Sequence, residues 1–233
     1  MKASIILPTY NERDNISSLI ESLENCLSST GWESEIVVID DNSPDGTADA
    51  VRRCQEKSKI PISLFVRTKE RGLATAIKYG FERSNGDWIA VLDTDFNHDP
   101  DQVPQMLSLL QEFDLVIGSR FVKGGGMEDR QRHYYSRLYN LFVQLVLWTP
   151  VHDNLSGFFT MRREKLIRLN TDAIFQGYGE YFIRLIHSSR KSKYHICEIP
   201  VFYKLRMHGE SKSNFTTMIR EYTACVISQR FAK

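Results

Sequence analysis

The chain has 233 residues, of which 42% are hydrophobic and 25% are charged, and its formal net charge is +1. This length and composition exclude a largely disordered chain and a pair of full-sized domains, and they predict one globular domain over residues 1–233.

Charge is unevenly distributed along the chain. Residues 1–116 contain 11 Lys and Arg against 20 Asp and Glu, which gives −9, whereas residues 117–233 contain 19 against 9, which gives +10. An acidic half suits a divalent cation, and a basic half suits phosphates or an anionic membrane surface. Uneven but solvated surface charge is the alternative interpretation.

The cysteines and the apolar runs indicate a cellular compartment. No Cys-x-x-Cys pair is present, so free thiols in a reducing compartment are predicted for all four cysteines, which are Cys26, Cys54, Cys197 and Cys225. No apolar run approaches the roughly 20 residues of a membrane-spanning helix, and the run at the N-terminus is too short for a signal peptide. We therefore expect a cytoplasmic protein or one attached peripherally to a membrane.

Short apolar runs alternate with helical patterns in the first half of the chain. Strands are predicted at residues 4–7, 35–40, 62–66, 88–92 and 115–118. Helices are predicted at residues 15–27, from the turn at 41–46 to about 53, and at 72–83. This alternation predicts an α/β fold with a mostly parallel sheet and helices on both faces.

Two later segments predict helices rich in apolar side chains. Over residues 134–148 apolar side chains cover much of the helix surface, so the helix either packs in the core or lies at an interface. Near the C-terminus apolar residues recur at helical spacing beside basic ones, which suits a membrane surface or a core contact equally. The apolar set is Phe215, Met218, Ile219, Tyr222 and Val226.

Polar clusters follow three of the predicted strands, at residues 8–12, 40–46 and 93–99. Ligands of parallel α/β sheets bind beyond the carboxyl ends of the strands. In the third cluster, Asp93, Asp95 and Asn97 share one side if the chain stays extended. Their hard oxygen atoms suit Mg²⁺ or Mn²⁺ held together with a diphosphate.

The second cluster has two interpretations. Asp40 and Asp41 follow a buried strand, so a carboxylate is expected to face the pocket and recognise a base or ribose. Alternatively, Ser43-Pro44-Asp45-Gly46 forms a turn, and Asp45 or Thr47 caps the next helix.

Six motifs together carry a family resemblance that covers roughly residues 3–214. They are Leu7-Pro8-Thr9-Tyr10-Asn11-Glu12, residues 40–47, Gly72-Leu73-Ala74-Thr75-Ala76, residues 93–98, Gly118-Ser119-Arg120 and Gly209-Glu210-Ser211-Lys212. In order and spacing the chain resembles the dolichyl-phosphate mannose synthases among the family-two glycosyltransferases. The resemblance implies a GT-A fold with C-terminal interfacial helices, a donor and metal half over residues 1–116, and an acceptor half over residues 117–233.

The resemblance also implies roles for individual residues. The donor-binding set would be Pro8, Tyr10, Glu12, Ile39 and Asp41, with Asp93, Thr94 and Asp95 at the diphosphate. Asp95 and Asn97 would be the ligands of Mg²⁺ or Mn²⁺. Arg120, Arg206 and Lys212 would close over the donor phosphates, although without the resemblance the last two are interpreted as solvated. Arg132 and Ser136 would receive a lipid phosphate.

The implied reaction is the metal-dependent, inverting transfer of a hexose, expected to be mannose from GDP-mannose, to a polyprenyl or dolichyl phosphate. An anionic acceptor attacks the sugar carbon directly and needs no general base, so Asp93, Asp95, Arg120, Arg132 and Ser136 would act by positioning and charge neutralisation. The expected partners are this nucleotide sugar, the lipid phosphate, the cytoplasmic face of a membrane and a membrane-anchoring protein. No nucleic acid is expected.

The chain also departs from the family pattern. Residues 128–132 replace an expected aromatic residue, Asn97 stands where Gln or Ser is usual, and residues 177–182 differ from the dolichol enzymes. A UDP-sugar donor or a glycan acceptor therefore stays an alternative.

Other classes of protein fit the sequence less well. A phosphatase with Asp93 as nucleophile leaves the first two polar clusters unexplained, and a non-catalytic nucleotide-sugar sensor would not need intact metal and phosphate residues. The glycine run 124–126 does not form a dinucleotide-binding motif, which argues against an oxidoreductase. That run is expected to be a mobile loop over the acceptor site or a surface turn.

Overall fold

Buried apolar runs form the strands, and amphipathic segments form the helices that cover them. The computed structural model describes residues 1–204 and 215–231. The strands in these ranges are β1 (Lys2–Thr9), β2 (Glu33–Asp40), β3 (Ile62–Val66), β4 (Trp88–Val91), β5 (Leu115–Ser119), β6 (Gly126–Met127), β7 (Phe159–Arg162), β8 (Ile196–Pro200) and β9 (Phe202–Tyr203). The helices are α1 (Arg13–Ser28), α2 (Thr47–Gln55), α3 (Leu73–Arg83), α4 (Val103–Leu109), α5 (Arg130–Leu147), α6 (Arg163–Leu166), α7 (Thr171–Ile174), α8 (Tyr181–Lys191) and α9 (Phe215–Phe231).

The central sheet confirms the prediction of a mostly parallel α/β fold. In the described part of the chain, seven strands form one sheet in the order β3-β2-β1-β4-β7-β5-β8. Strand β7 runs antiparallel to β4 and β5, while the other neighbours are parallel. The carboxyl ends of β1, β2 and β4 therefore meet at one edge, where the three polar clusters follow them.

Helices cover both faces of this sheet, as predicted. In β1, Ile5 and Leu7 pack into a core cluster with α1 and α4, whereas Ile6 packs into a second cluster with α3 and α8. The helix α3 lies very close to the sheet, because a Cβ atom on Gly80 would come within 2.7 Å of the Ile6 side chain. Burial on both faces explains why the strands read as continuous apolar runs.

Helix α5 begins four residues earlier than the predicted segment at 134–148, because Asp129 caps it by accepting a hydrogen bond from the Arg132 backbone N–H at 2.9 Å. The core-packing interpretation holds for part of its surface, and the interfacial one stays a prediction. Val143 and Leu147 are buried against α8 and α9. The outward side chains are exposed, and they are Tyr134, Tyr135, Leu138, Leu141, Leu145 and Trp148. None of the helices in residues 1–204 and 215–231 combines the length and apolarity that a bilayer crossing requires.

One conformational prediction is wrong. The chain does not stay extended through the third polar cluster, because β4 ends at Val91 and Phe96 has φ of 62°. Asp93, Asp95 and Asn97 therefore lie on a tight loop rather than on one side of a strand.

The glycine run at 124–126 begins in a surface turn, as one of the two predictions expected. Gly124 is exposed in this turn, which the Gly125 backbone N–H closes by donating to the Val122 carbonyl oxygen at 2.9 Å. The next two glycines are packed: a Cβ atom on Gly125 would lie 2.4 Å from the Ser119 carbonyl oxygen, and Gly126 pairs with Phe202 in the small sheet of β6 and β9.

Candidate active site

The loop after β4 is held together by its own side chains. Asn97 donates from its backbone N–H to Asp95 Oδ1 at 3.1 Å and from Nδ2 to Asp95 Oδ2 at 2.9 Å. His98 Nδ1 accepts the backbone N–H of Asp93 at 2.8 Å. Asp95 is only 4% exposed, whereas the Asp93 side chain is 44% exposed and lies in a cavity with Asn97. The turn thus brings together the residues that an extended strand was expected to align.

This cavity has a volume of about 980 Å³ and is lined by both polar and apolar side chains. Its polar part contains Asp93, Asn97, Arg120, Arg132, Ser136 and Ser156. Its apolar part lies between α5 and α9 and contains Leu138, Tyr139, Phe142, Met218, Ile219 and Tyr222. An elongated ligand with a charged head and an apolar chain matches this distribution.

Arg120 is held by a carboxylate that the sequence analysis did not identify. Its Nε and Nη2 atoms donate to the two oxygens of Asp153, each at 2.7 Å, and its backbone N–H donates to Asp153 Oδ2 at 3.0 Å. Asp153 is 0% exposed and Arg120 is 6% exposed. Burial alone would lower the pKa of the Arg120 guanidinium, but the adjacent Asp153 raises it, so the group stays charged.

Contacts behind Asp153 fix this pair in place. The backbone N–H groups of His152 and Asp153 donate to the Glu198 carboxylate at 2.8 Å and 3.0 Å. The Tyr203 ring lies 4.7 Å from the Arg120 guanidinium. Arg120 is therefore oriented before any ligand arrives. Its hydrogen bonds to Asp153 use Nε and Nη2, so the Nη1 group is the one that can donate to a ligand.

Arg132 and Ser136 lie one turn apart on α5, and both line the same cavity as Arg120. Two arginines and a serine therefore line one cavity, and guanidinium and hydroxyl groups are donors suited to a phosphate monoester. Arg206 and Lys212, which were predicted to join them, lie outside the described residues.

The residues predicted to bind the donor lie at the ends of β1 and β2. Pro8 and Ile39 are paired in register and buried, Ile39 at 0% exposure, so their predicted contact with the donor stays a prediction. The Arg71 guanidinium lies over the Tyr10 ring, with its Cζ atom 5.0 Å from the ring centroid. Glu12 accepts a hydrogen bond from Asn15 Nδ2 at 2.8 Å.

Asp41 is engaged by the protein itself. Its Oδ1 accepts from Arg67 Nε at 2.6 Å, and its Oδ2 accepts from the Gly72 backbone N–H at 2.8 Å. Arg67 donates further to the Gly72 carbonyl oxygen and to Thr75 Oγ1, both at 3.0 Å. Asp41 therefore organises the start of α3 in this structure, and its predicted contact with the donor stays a prediction.

Its neighbours in the same cluster form the predicted turn. Asp45 accepts from the Thr47 backbone N–H at 2.9 Å and from the Arg13 backbone N–H at 3.1 Å. Burial would raise the pKa of Asp45, but these hydrogen bonds lower it below its ordinary value. Asp40 is 0% exposed and accepts the Ser43 backbone N–H at 2.9 Å. The predicted turn is confirmed, but Gly46 is the N-cap residue of α2 and Thr47 is its first helical residue, so the prediction that Asp45 or Thr47 occupies the cap is wrong.

The chemistry of the loop after β4 fits a hard divalent cation. Within residues 1–204 and 215–231, no group of three or more His, Cys, Asp or Glu side chains is gathered as metal ligands. Because Asn97 Nδ2 donates to Asp95, the Asn97 amide oxygen is left as an acceptor beside the carboxylates of Asp93 and Asp95. Mg²⁺ and Mn²⁺ are commonly held by such oxygens together with substrate phosphates and water.

A mostly parallel sheet with an oxygen-rich loop at its carboxyl edge, where ligands of such sheets bind, agrees with the GT-A fold that the family resemblance implies. Residues 4–169 match the family described as Glycosyl transferase family 2. The chain belongs to this family.

Curated relatives match most of the chain. It is 35% identical over 91% of its length to the dolichol-phosphate mannosyltransferase of Pyrococcus furiosus, but it spans only 59% of the length of that relative. It is 33% identical over 91% of its length to the undecaprenyl-phosphate mannosyltransferase of Micrococcus luteus, spanning 87% of it. Identity to the dolichol-phosphate mannosyltransferase of Saccharomyces cerevisiae is 29% over 93% of the chain and 83% of that relative.

A solved structure supports the fold. Glucosyl-3-phosphoglycerate synthase from Mycobacterium tuberculosis, in complex with Mn²⁺, uridine diphosphate and phosphoglyceric acid, superposes with a TM-score of 0.75. The match covers 100% of this chain and 79% of that chain at 20% sequence identity. At this identity the likeness establishes the GT-A fold alone.

Proposed function

We propose that this protein transfers mannose from GDP-mannose to a polyprenyl or dolichyl phosphate, with a divalent cation and with inversion at the sugar carbon. The observation that carries the proposal is a cavity that Asp93, Asn97 and two arginines line together with apolar side chains of α5 and α9. The names of the three mannosyltransferase relatives support the choice of sugar and of acceptor class.

In this proposal, the donor lies along the carboxyl ends of β1, β2 and β4. Pro8, Tyr10, Glu12, Ile39 and Asp41 bind its nucleoside part, while Asp93, Thr94 and Asp95 approach the diphosphate. Asp95 and Asn97 would hold Mg²⁺ or Mn²⁺, which would supply positive charge to offset the negative charge of the departing diphosphate. Arg206 and Lys212, outside the described residues, are proposed to add positive charge at the same diphosphate.

The acceptor phosphate binds between Arg132, Ser136 and the Nη1 group of Arg120. One of its oxygens bonds to the sugar C1 while the bond from C1 to the diphosphate oxygen breaks and GDP leaves. The acceptor oxygen is already anionic, so no side chain has to remove a proton from it. Attack opposite the leaving group inverts the configuration at C1, and an α-linked donor gives a β-linked product.

The apolar part of the cavity and the outer face of α5 suit a lipid acceptor. Phe142, Met218 and Tyr222 line the groove into which the first units of an apolar chain would extend. On the outside, Leu145 is 75% exposed and Trp148 is 72% exposed. A helix face of this composition lies in the interfacial region of a bilayer. We infer peripheral association with the cytoplasmic face of a membrane, with a membrane-anchoring protein as a further partner.

The test is a transfer assay with Mn²⁺ and a short polyprenyl phosphate, in which GDP-mannose, UDP-glucose and UDP-GlcNAc are compared as donors. Metal-dependent formation of a mannosyl phospholipid from GDP-mannose is the expected result. Transfer from only a UDP-sugar would overturn the donor assignment but retain the acceptor. Absence of transfer to lipid phosphate from every donor would overturn the acceptor assignment and favour a glycan. Digestion of the product with anomer-specific mannosidases tests inversion.

A further inference from the structure

His98 lies at the end of the loop that follows β4, and its side chain is buried between aromatic rings. It is 1% exposed, and its ring stacks on the Phe158 ring with a centroid distance of 4.9 Å and an interplanar angle of 9°. The Tyr203 ring lies on it at 4.9 Å in a tilted arrangement. Phe158 is 0% exposed and Tyr203 is 6% exposed, so packing determines the orientation of the imidazole.

The imidazole closes the loop on itself. The backbone N–H of Asp93 donates to His98 Nδ1 at 2.8 Å, across five residues of chain. Strand β4 ends at Val91, so Asp93 lies beyond the sheet, and His98 supplies its N–H with the acceptor that a strand ladder would otherwise provide. Because Nδ1 accepts this bond, the neutral ring carries its proton on Nε2.

The loop that His98 closes is conformationally strained. Phe96 has φ of 62°, a left-handed conformation that is unfavourable for a residue with a bulky side chain. Such a conformation persists only when its surroundings hold it. The bond between Asp93 and His98 spans Phe96, and the two bonds between Asp95 and Asn97 lie inside the same turn.

We propose that His98 is a positioning residue, which acts through the Asp93 backbone to hold Asp93, Asp95 and Asn97 in the arrangement that binds a divalent cation with a nucleoside diphosphate. The imidazole is sealed from solvent and does not form part of the cavity wall, so it does not touch the reacting atoms. This inference rests on the metal dependence in the proposed function.

Two substitutions separate the hydrogen bond from the packing. His98→Phe keeps an aromatic ring on Phe158 but removes the acceptor. His98→Asn loses the ring, but its Oδ1 is as many bonds from Cα as Nδ1, so it can accept the Asp93 N–H. His187→Phe is the matched control, because His187 is also buried, at 5% exposure, and lies on α8.

The readout is Mn²⁺ binding in the presence of GDP. The electron paramagnetic resonance signal of free Mn²⁺ measures how much of the ion is unbound. We expect His98→Phe to weaken Mn²⁺ binding roughly tenfold, while His98→Asn stays within about threefold of the wild type. In the transfer assay, His98→Phe should raise the Mn²⁺ concentration needed for half-maximal rate and leave the rate at saturating Mn²⁺ nearly unchanged. His187→Phe should bind Mn²⁺ as the wild type does.

Equal Mn²⁺ affinity in the wild type and His98→Phe would overturn the inference and leave the proposed function standing. Absence of Mn²⁺ binding to the wild type with GDP or UDP would overturn both. If His98→Phe does not fold, hydrogen exchange on the wild type tests the inference instead. The Asp93 amide is expected to exchange slowly. Exchange at the rate of an unprotected amide would contradict the inference.

Discussion

Asp153→Asn is expected to destabilise the fold by about 3 kcal/mol, because it removes the counter-charge of a buried guanidinium. Asp153 is 0% exposed and accepts three hydrogen bonds from Arg120 at 2.7–3.0 Å. Breaking a buried ion pair costs about 3–5 kcal/mol, and the lower end applies here because Arg120 borders a cavity that admits water. For a chain of this length, the loss corresponds to a melting temperature lower by roughly 6–12 °C.

Urea and thermal unfolding followed by circular dichroism measure this loss. The control is Asp49→Asn, which breaks a pair with Arg52 whose side chains are 66% and 57% exposed and which should cost about 0.5 kcal/mol or less. Replacing both partners with apolar residues, as Arg120→Met with Asp153→Leu, should restore much of the stability, but this double variant should not transfer because it lacks the Arg120 guanidinium. A loss below about 1 kcal/mol in Asp153→Asn would refute the assignment of a tightly coupled buried pair.

Four further outcomes are expected. Asp95→Ala should abolish metal-dependent transfer and Mn²⁺ binding while far-ultraviolet circular dichroism is retained, and normal turnover would contradict the metal assignment. Arg132→Ala should raise the KM for the lipid phosphate roughly 10- to 100-fold with little change in the KM for the donor, because one charged phosphate contact is lost. Burial, followed by nearby basic residues, lowers the pKa of His187 from 6.5 to about 4. Between pH 6.5 and about 4 the unfolded chain therefore binds a proton that the folded chain does not. Lowering the pH through this window should reduce the free energy of unfolding by up to about 1.4 kcal/mol per pH unit. Urea unfolding at pH 7 and pH 5 measures this loss, and His187→Phe should remove the part that His187 contributes. Leu145→Glu should weaken sedimentation with anionic vesicles roughly 30-fold, since about 2 kcal/mol of apolar transfer is lost, whereas Ile167→Glu, at an exposed position outside α5 and α9, should not.

The first half of the fold was predictable because local signals agree there. Strand β3 has the predicted bounds, and α3 begins one residue after the predicted start. Continuous apolar runs are the signature of strands buried on both faces, and this signal needs no knowledge of the pairing partner. Strand β7 was not predicted, because its four residues pair with β4 and β5 across long stretches of sequence.

The structure brings several predicted site residues to one cavity, and their roles stay predictions. Asp93, Asn97, Arg120, Arg132 and Ser136 line one cavity, although they come from widely separated motifs. Their roles were assigned by family resemblance, whereas the geometric argument from strand alternation was wrong, because a left-handed residue turns the loop. Phe carries no signal for this conformation, since glycine and asparagine are the usual residues there.

Asp153 and His98 show why supporting residues escape sequence reasoning. A single Asp after an apolar helix has no pattern that distinguishes a buried ion-pair partner from a solvated turn. His98 belonged to a recognised motif, but its role depends on Phe158 and Tyr203, which lie 60 and 105 residues further along the chain. Contacts of that separation arise from the topology: Phe158 directly precedes β7, which pairs with β4, and Tyr203 lies in β9.

The charge asymmetry of the chain does not translate into a basic cavity. Among the described cavity residues, the charges of Arg120 and Arg132 are matched in number by those of Asp93 and Asp129. Preference for phosphate must therefore come from where each charge points rather than from net charge. Asp129 caps α5 and faces its backbone, whereas Asp153 occupies two nitrogen atoms of Arg120 and leaves the third for a ligand. For this reason a buried carboxylate that touches no substrate is expected to influence phosphate recognition as strongly as the arginine that it orients.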